Sequence, residues 1–209
     1  MAREGLPFIV PPLLVALAAA LAQGWFIALP LGLLGLFSAW FFRDPDRFAP
    51  PGEHFALSPA DGKVIKVEEV EEDRFLNRRV RRISIFMNLF DVHVNRAPLS
   101  GLVIQKEYHP GRFFSADLDK ASRENEHNAL ILETGGGRKM VVVQIAGLVA
   151  RRIACWVAPG DQVVRGQRFG LIRFGSRLDV YLPLEAEVEV RPGQRVRAGE
   201  SVLAALPPE

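Results

Sequence analysis

Pro159-Gly160-Asp161-Gln162-Val163-Val164-Arg165-Gly166-Gln167 recurs 33 residues later as Pro192-Gly193-Gln194-Arg195-Val196-Arg197-Ala198-Gly199-Glu200, and each copy leads into a short apolar run. Proline presets one backbone angle and glycine supplies positive φ, so the two copies predict equivalent turns whose valines point inward. Short β-branched runs separated by Gly, Pro and Asp occupy residues 63–67, 82–86, 101–104, 129–132 and 140–145. Beyond the N-terminal segment no stretch carries a long 3.6-residue period. The fold class expected is mainly β (α+β), a sandwich or barrel built on this hairpin repeat.

The repeat resembles the hairpins of lipoyl- and biotinyl-carrier barrels, which present their cofactor on an exposed lysine. Residues 159–200 contain no lysine, so the repeat is read as architecture.

Residues 6–42 are apolar and carry no charge. As one helix they would reach about 55 Å at about 1.5 Å per residue, too long for a single crossing of a hydrocarbon layer about 30 Å thick. Two helices, 6–22 and 25–42, turning at Gln23-Gly24, fit better, either spanning the bilayer or re-entering one leaflet. Arg3 and Arg43 then share one side, which the positive-inside tendency makes the cytoplasm. The expected organisation is a membrane-associated helical hairpin (1–43), a Pro-rich linker (44–56) and a catalytic β domain (57–209) at the cytoplasmic side of the cell membrane.

Arginine outnumbers lysine, favouring planar contacts to phosphate or carboxylate. The lone Cys155 excludes an internal disulfide and a thiolate metal cluster, and its strand-like surroundings read as those of a buried structural thiol. No His/Cys/Glu spacing supports a zinc site. A metal and a nucleic-acid partner are not expected. The basic runs 78–82 and Arg151-Arg152 read as a solvated face or, beside a membrane anchor, as a surface attracting anionic lipid.

Four segments bear candidate chemistry. Asp61 lies in Ser58-Pro59-Ala60-Asp61-Gly62, an Asp-Gly turn or a site carboxylate. Asp91, His93 and Asn95 alternate in strand fashion, which would put them on one face, with Val92, Val94 and Arg96 on the other. Residues 120–128 form a polar loop containing Arg123 and His127, either exposed or holding a head group, and His109 reads as part of a turn. Gly175-Ser176, within Phe174-Gly175-Ser176-Arg177, places a hydroxyl beside a carbonyl that glycine leaves unobstructed. It is either an ordinary turn or a bond open to attack by its own serine.

Taken together, Arg43-Asp44-Pro45, Ser58-Pro59-Ala60-Asp61-Gly62, Asp91-Val92-His93-Val94-Asn95, Asn125-Glu126-His127-Asn128, Gln144-Ile145-Ala146-Gly147 and Phe174-Gly175-Ser176-Arg177 resemble the phosphatidylserine decarboxylases in their short bacterial and archaeal form. The resemblance implies a proenzyme that cuts itself between Gly175 and Ser176 into chains 1–175 and 176–209, held together by the two repeat copies. It implies a pyruvoyl group made from Ser176 as the only cofactor, with neither metal nor pyridoxal phosphate. That group would form a Schiff base with the amine of a serine phospholipid and accept electrons as carbon dioxide leaves. His93 is expected as the base and Asp61 as its orienting partner. Longer relatives carry a second histidine where Arg96 stands and Gly-Ser-Thr where this chain has Gly-Ser-Arg. Asn95, Arg96, Arg177 and His127 are therefore candidates for substrate binding. Diacyl and archaeal ether lipids are both open as substrates, a homo-oligomer is compatible, and a non-catalytic, membrane-tethered carrier-like adaptor is the competing reading.

Overall fold

The computed structural model describes residues 1–118, 121–148, 152–173 and 175–207, without the Arg123 side chain; Lys120, Arg151 and Phe174, named above, lie outside the described residues. The chain divides into two compact units, Met1–Asp46 and Arg47–Glu209.

The first unit is a helical hairpin, with α1 spanning Leu6–Leu21 and α2 Trp25–Phe41. The chain reverses through Gln23, at φ 59°, and the amides of Ala22 and Gly24 bond back to Ala18 and Ala19. At the opposite end Ala2 N donates to Phe42 O at 3.0 Å and the Phe8 and Phe42 rings stack at 5.7 Å. Arg3 and Arg43 therefore lie at the same end of the hairpin. Its outer surface is apolar, with Leu21, Phe26 and Leu29 exposed. The helical stretch Arg3–Leu21 is long and apolar enough to cross a membrane, whereas α2, at 17 residues, is shorter.

The second unit is mainly β, as its sequence predicts. Its strands are β1 (Phe55–Leu57), β2 (Gly62–Glu72), β3 (Arg78–Met87), β4 (Val94–Arg96), β5 (Gly101–His109), β6 (His127–Glu133) and β7 (Lys139–Ala146). They continue as β8 (Ile153–Cys155), β9 (Gln162–Val163), β10 (Arg168–Ile172), β11 (Ser176–Leu182), β12 (Glu187–Val188), β13 (Arg195–Val196) and β14 (Val202–Ala205). Eight form a curled sheet in the order β13-β2-β3-β11-β7-β6-β5-β9; β1-β14-β12 and β4-β10-β8 form two small sheets. Cys155, expected to be buried, is only partly so.

This order is an internal duplication. Read from either end, the large sheet gives corresponding strands, and the two small sheets correspond as well. Leu57 N donates to Pro98 O and Arg96 N to Pro59 O, both at 2.9 Å; Gly199 N donates to Ser58 O and Gly166 N to Ala97 O, both at 2.8 Å. Register shifts follow Val64 in one copy and Val103, 39 residues on, in the other. The carbonyls of His54 and His93 accept from Leu206 and Ile172, and the pair Val180↔Val142 lies on the pseudo-twofold axis. One half comprises β1–β3 and β11–β14; the other, β4–β10, is inserted between β3 and β11. The Pro-Gly repeat is the part of this duplication still visible in the sequence, because turns constrain residue type more tightly than strands do.

The repeat copies supply β9 and β13, the two edges of the large sheet, with Val163 and Val196 buried. A Cβ on Gly199 would fall 3.6 Å from Gly166 Cα, so the two repeat turns that follow the edge strands pack against each other. Central β11 is buried along its length and has a core on each side: Leu178 and Val180 join one, Tyr181 the other.

Candidate active site

Insertion of one half into the other requires two crossings, outward between β3 and β4 and back between β10 and β11. They meet at the Gly175-Ser176 bond. Gly175 has φ +70°, a left-handed conformation that costs an ordinary L residue about 1–2 kcal/mol. Its amide N lies 3.4 Å from His93 Nε2. His93 is fully buried, and its Nδ1 bonds the Asp91 carbonyl at 2.9 Å. A carbonyl only accepts, so Nδ1 carries the proton and Nε2 offers its lone pair to the Gly175 N–H.

Ser176 opens β11 and is also fully buried. It pairs with Met87 on β3 and Ala146 on β7, and residues paired directly across strands share a face. Accordingly its hydroxyl donates to Met87 Sδ at 3.4 Å. The Gly175 carbonyl oxygen is packed against Gly147, where any Cβ would come within 2.3 Å of it. The Asn125 carboxamide braces this strand end, accepting from Phe114 N at 2.9 Å and donating to the carbonyls of Phe114 and Ala146 at 2.8 and 2.7 Å.

The other expected site residues are distributed differently from the sequence reading. Strand β4 begins only at Val94, so Asp91, His93 and Asn95 do not form one strand face. Asp91 closes a turn with Asn88, taking its N–H on Oδ2 at 2.9 Å, and pairs with Arg195 through Oδ1. Asn95 lies on the Ser176 side of the sheet, bonded to Gln144 and Met87. Asp61 is not the hydrogen-bond partner of His93: Oδ2 pairs with Arg47 at 2.9 Å and Oδ1 accepts from Ala198 N at 2.7 Å. Burial pushes the Asp61 carboxyl above the usual carboxylate range, against the downward pull of Ala198 N–H and Arg47.

Strand alternation carries Arg177 and His127 to the far face of the sheet. Both belong to the row Phe86, Arg177, Ile145, His127, one residue out of step with Ser176. Arg177 is fully buried there, with both Asp179 oxygens at 2.6 and 2.9 Å and Ser84 Oγ at 2.9 Å. His127 stacks on His109, at the end of β5 rather than in a turn. Arg96 donates to the Gly166 carbonyl at 3.0 Å and packs on Gly199, bridging the two repeat turns. The arginines of 78–82 are not a free basic face: Arg79 and Arg81 pair with Glu69, and Arg82 with Glu68. Sequence reasoning assigned no role to Met87, Gln144, Gly147 or Asn125. Gln144, Gly147 and Asn125 stand in the resembling motifs, but Met87 carries no local signal.

The family model described as phosphatidylserine decarboxylase matches residues 34–204. A protein of Syntrophus aciditrophicus is 52% identical over 99% of this chain and 97% of its own length. Proteins of Nitrosomonas europaea and Symbiobacterium thermophilum are 50% and 51% identical, covering 98% and 99% of this chain and 94% and 96% of their own lengths. All three are named phosphatidylserine decarboxylase proenzyme. The chain belongs to the phosphatidylserine decarboxylase family.

Proposed function

We propose that the chain is a membrane-associated proenzyme that cuts itself between Gly175 and Ser176 and then decarboxylates phosphatidylserine to phosphatidylethanolamine. The observation that carries this reading is a buried histidine whose unprotonated nitrogen faces the amide of a left-handed glycine, one residue before a buried serine.

In the cut, Ser176 Oγ attacks the Gly175 carbonyl carbon while His93 Nε2 takes the hydroxyl proton. The Gly175–Ser176 C–N bond breaks, and the same proton passes to the departing amine, leaving an ester. Loss of the Ser176 Cα proton then expels the Gly175 carboxylate from Cβ. The resulting dehydroalanine takes up water and releases ammonia, so that residue 176 becomes a pyruvoyl group. That group supplies a ketone that captures the substrate amine and draws electrons from the breaking carboxyl bond. Around it the chain's residues exclude water, and His93 holds a proton within reach of the reacting carbon. Among the polar side chains of this face Asn95, bonded to the same Met87 sulfur as Ser176, is the candidate to meet the substrate, whereas Arg96, Arg177 and His127 serve the fold. Asp61 acts on the site by anchoring residues 197–200 and by its field beside Asp91, and Asp91's carbonyl orients the imidazole.

The apolar hairpin of α1 and α2 would hold the enzyme at the membrane with Arg3 and Arg43 on the cytoplasmic side, close to a lipid substrate. The test is the denatured mass of active protein. Two chains, 1–175 and a pyruvoyl-bearing 176–209, are expected, with Ser176→Ala intact; an active preparation of intact chain overturns the reading.

A further inference from the structure

Four side chains of low exposure form one hydrogen-bonded chain ending at the Ser176 hydroxyl. Asn128 Nδ2 donates to Gln144 Oε1 at 3.0 Å, and Gln144 Nε2 donates to Asn95 Oδ1 at 2.8 Å. Asn95 Nδ2 faces Met87 Sδ at 3.9 Å, the same sulfur on which Ser176 Oγ rests. Each amide is oriented by the one before it, so the Asn95 NH2 group is directed at the sulfur. Buried amides cost stability unless fully bonded, which raises the question of whether the fold requires them here.

The duplication answers it with an internal control. At the positions related by the pseudo-twofold axis, Ala56 stands for Asn95, Leu182 for Gln144 and Thr134 for Met87, and both Ala56 and Leu182 are fully buried. The same backbone thus carries apolar residues in place of the Asn95 and Gln144 amides where no serine has to be aimed. Met87 is a weak acceptor on a flexible side chain, and a directed N–H donor is what can hold its sulfur in one place.

We propose that Gln144 and Asn95 are positioning residues of the Ser176 site: Gln144 fixes the Asn95 carboxamide, which fixes Met87 Sδ and thereby the attacking hydroxyl. This rests on Ser176 being the self-cleaving residue. The test is the double variant Asn95→Ala with Gln144→Leu, which reproduces the other half. It should fold cooperatively, while cleavage at Gly175-Ser176, followed by denaturing mass, slows by about 10- to 100-fold. Gln144→Glu gives a second readout. Ionised, it accepts from Asn128 but has no proton for Asn95; protonated, it regains a donor. Its cleavage rate relative to wild type should therefore rise as pH falls. Wild-type cleavage in the double variant, its failure to fold, or a Gln144→Glu pH profile matching wild type would each overturn the proposal. Failure of the underlying reading is distinguishable, because wild type itself would then remain uncut.

Discussion

His93 Nε2 stands 3.4 Å from the backbone nitrogen of Gly175, although 82 positions separate the two residues. The contact exists because both residues sit where the chain passes between the two halves of the duplication. A base held there by backbone on both sides, Nδ1 on Asp91 O and its own carbonyl on Ile172 N, gives a clear expectation. His93→Ala should fold and accumulate uncut, and added imidazole should partly restore cleavage. Ordinary cleavage and turnover in that variant would remove His93 from the mechanism.

Gly147→Ala should arrest cleavage without unfolding the protein. The new methyl would meet the Gly175 oxygen at 2.3 Å, the oxygen carried by the carbon that must become tetrahedral during attack. Cleavage within threefold of wild type would show that the carbonyl can shift at no cost.

Arg177 and Asp179 are fully buried and bonded to each other through two contacts. Arg177→Met leaves a carboxylate without its cation and should cost about 3–5 kcal/mol by urea titration. Changing Asp179 to Leu as well should recover most of that. Michaelis constants of folded, processed material should stay near wild type, since this pair lies across the sheet from Ser176. A large rise in KM with unchanged stability would return Arg177 to the substrate site.

How much of this could be read from sequence follows from what constrains each residue. The hairpin helices, the main β runs and the Pro-Gly repeat were legible, because apolar length and turn chemistry are local properties. The resemblance singled out Gly175, Ser176 and His93 together, but nothing local to His93 says that Gly175, 82 residues on, lies against its ring. Asp61 went to Arg47 and Ala198 because both approach it from distant segments. That Arg177 and His127 lie across the sheet from Ser176 was not legible, because the side of a sheet depends on register, and one step reverses it. The duplication escaped notice beyond its turns, since Asn95 and Ala56, or Gln144 and Leu182, share a position but not a chemistry.

His127 should give the β unit an acid-sensitive component. Burial holds its pKa below the ordinary 6.5, helped by Arg74 and His109 and opposed by the Asn125 carbonyl and Glu107. The unfolded chain then binds this proton more readily than the folded one. The contribution is present above pH 6.5 and is lost as pH falls toward the folded value. Between pH 7.5 and 5.5, wild type should lose more unfolding free energy than His127→Gln. Equal losses would mean that His127 does not titrate differently on folding.

After cleavage the fragment 176–209 should remain bound. Its first strand, β11, pairs with β3 on one side and β7 on the other, and β13 adds to β2 at the sheet edge. Ala198 N–H is held by Asp61, Glu200 pairs with Arg47, and Arg195 with Asp91. A pair such as Arg195–Asp91, whose arginine is largely exposed, is screened by solvent and contributes modestly, so the strand ladders and their buried side chains must supply most of the retention. Native mass measurement should give one particle containing both chains, separable only in denaturant. Asp61→Ala, which leaves the Ala198 amide without its acceptor and Arg47 with Glu200 as its remaining partner, should lower the denaturant concentration at which they part. Release of 176–209 during gel filtration of the wild type, without denaturant, would mean that the cut weakens β11 far more than its two ladders allow.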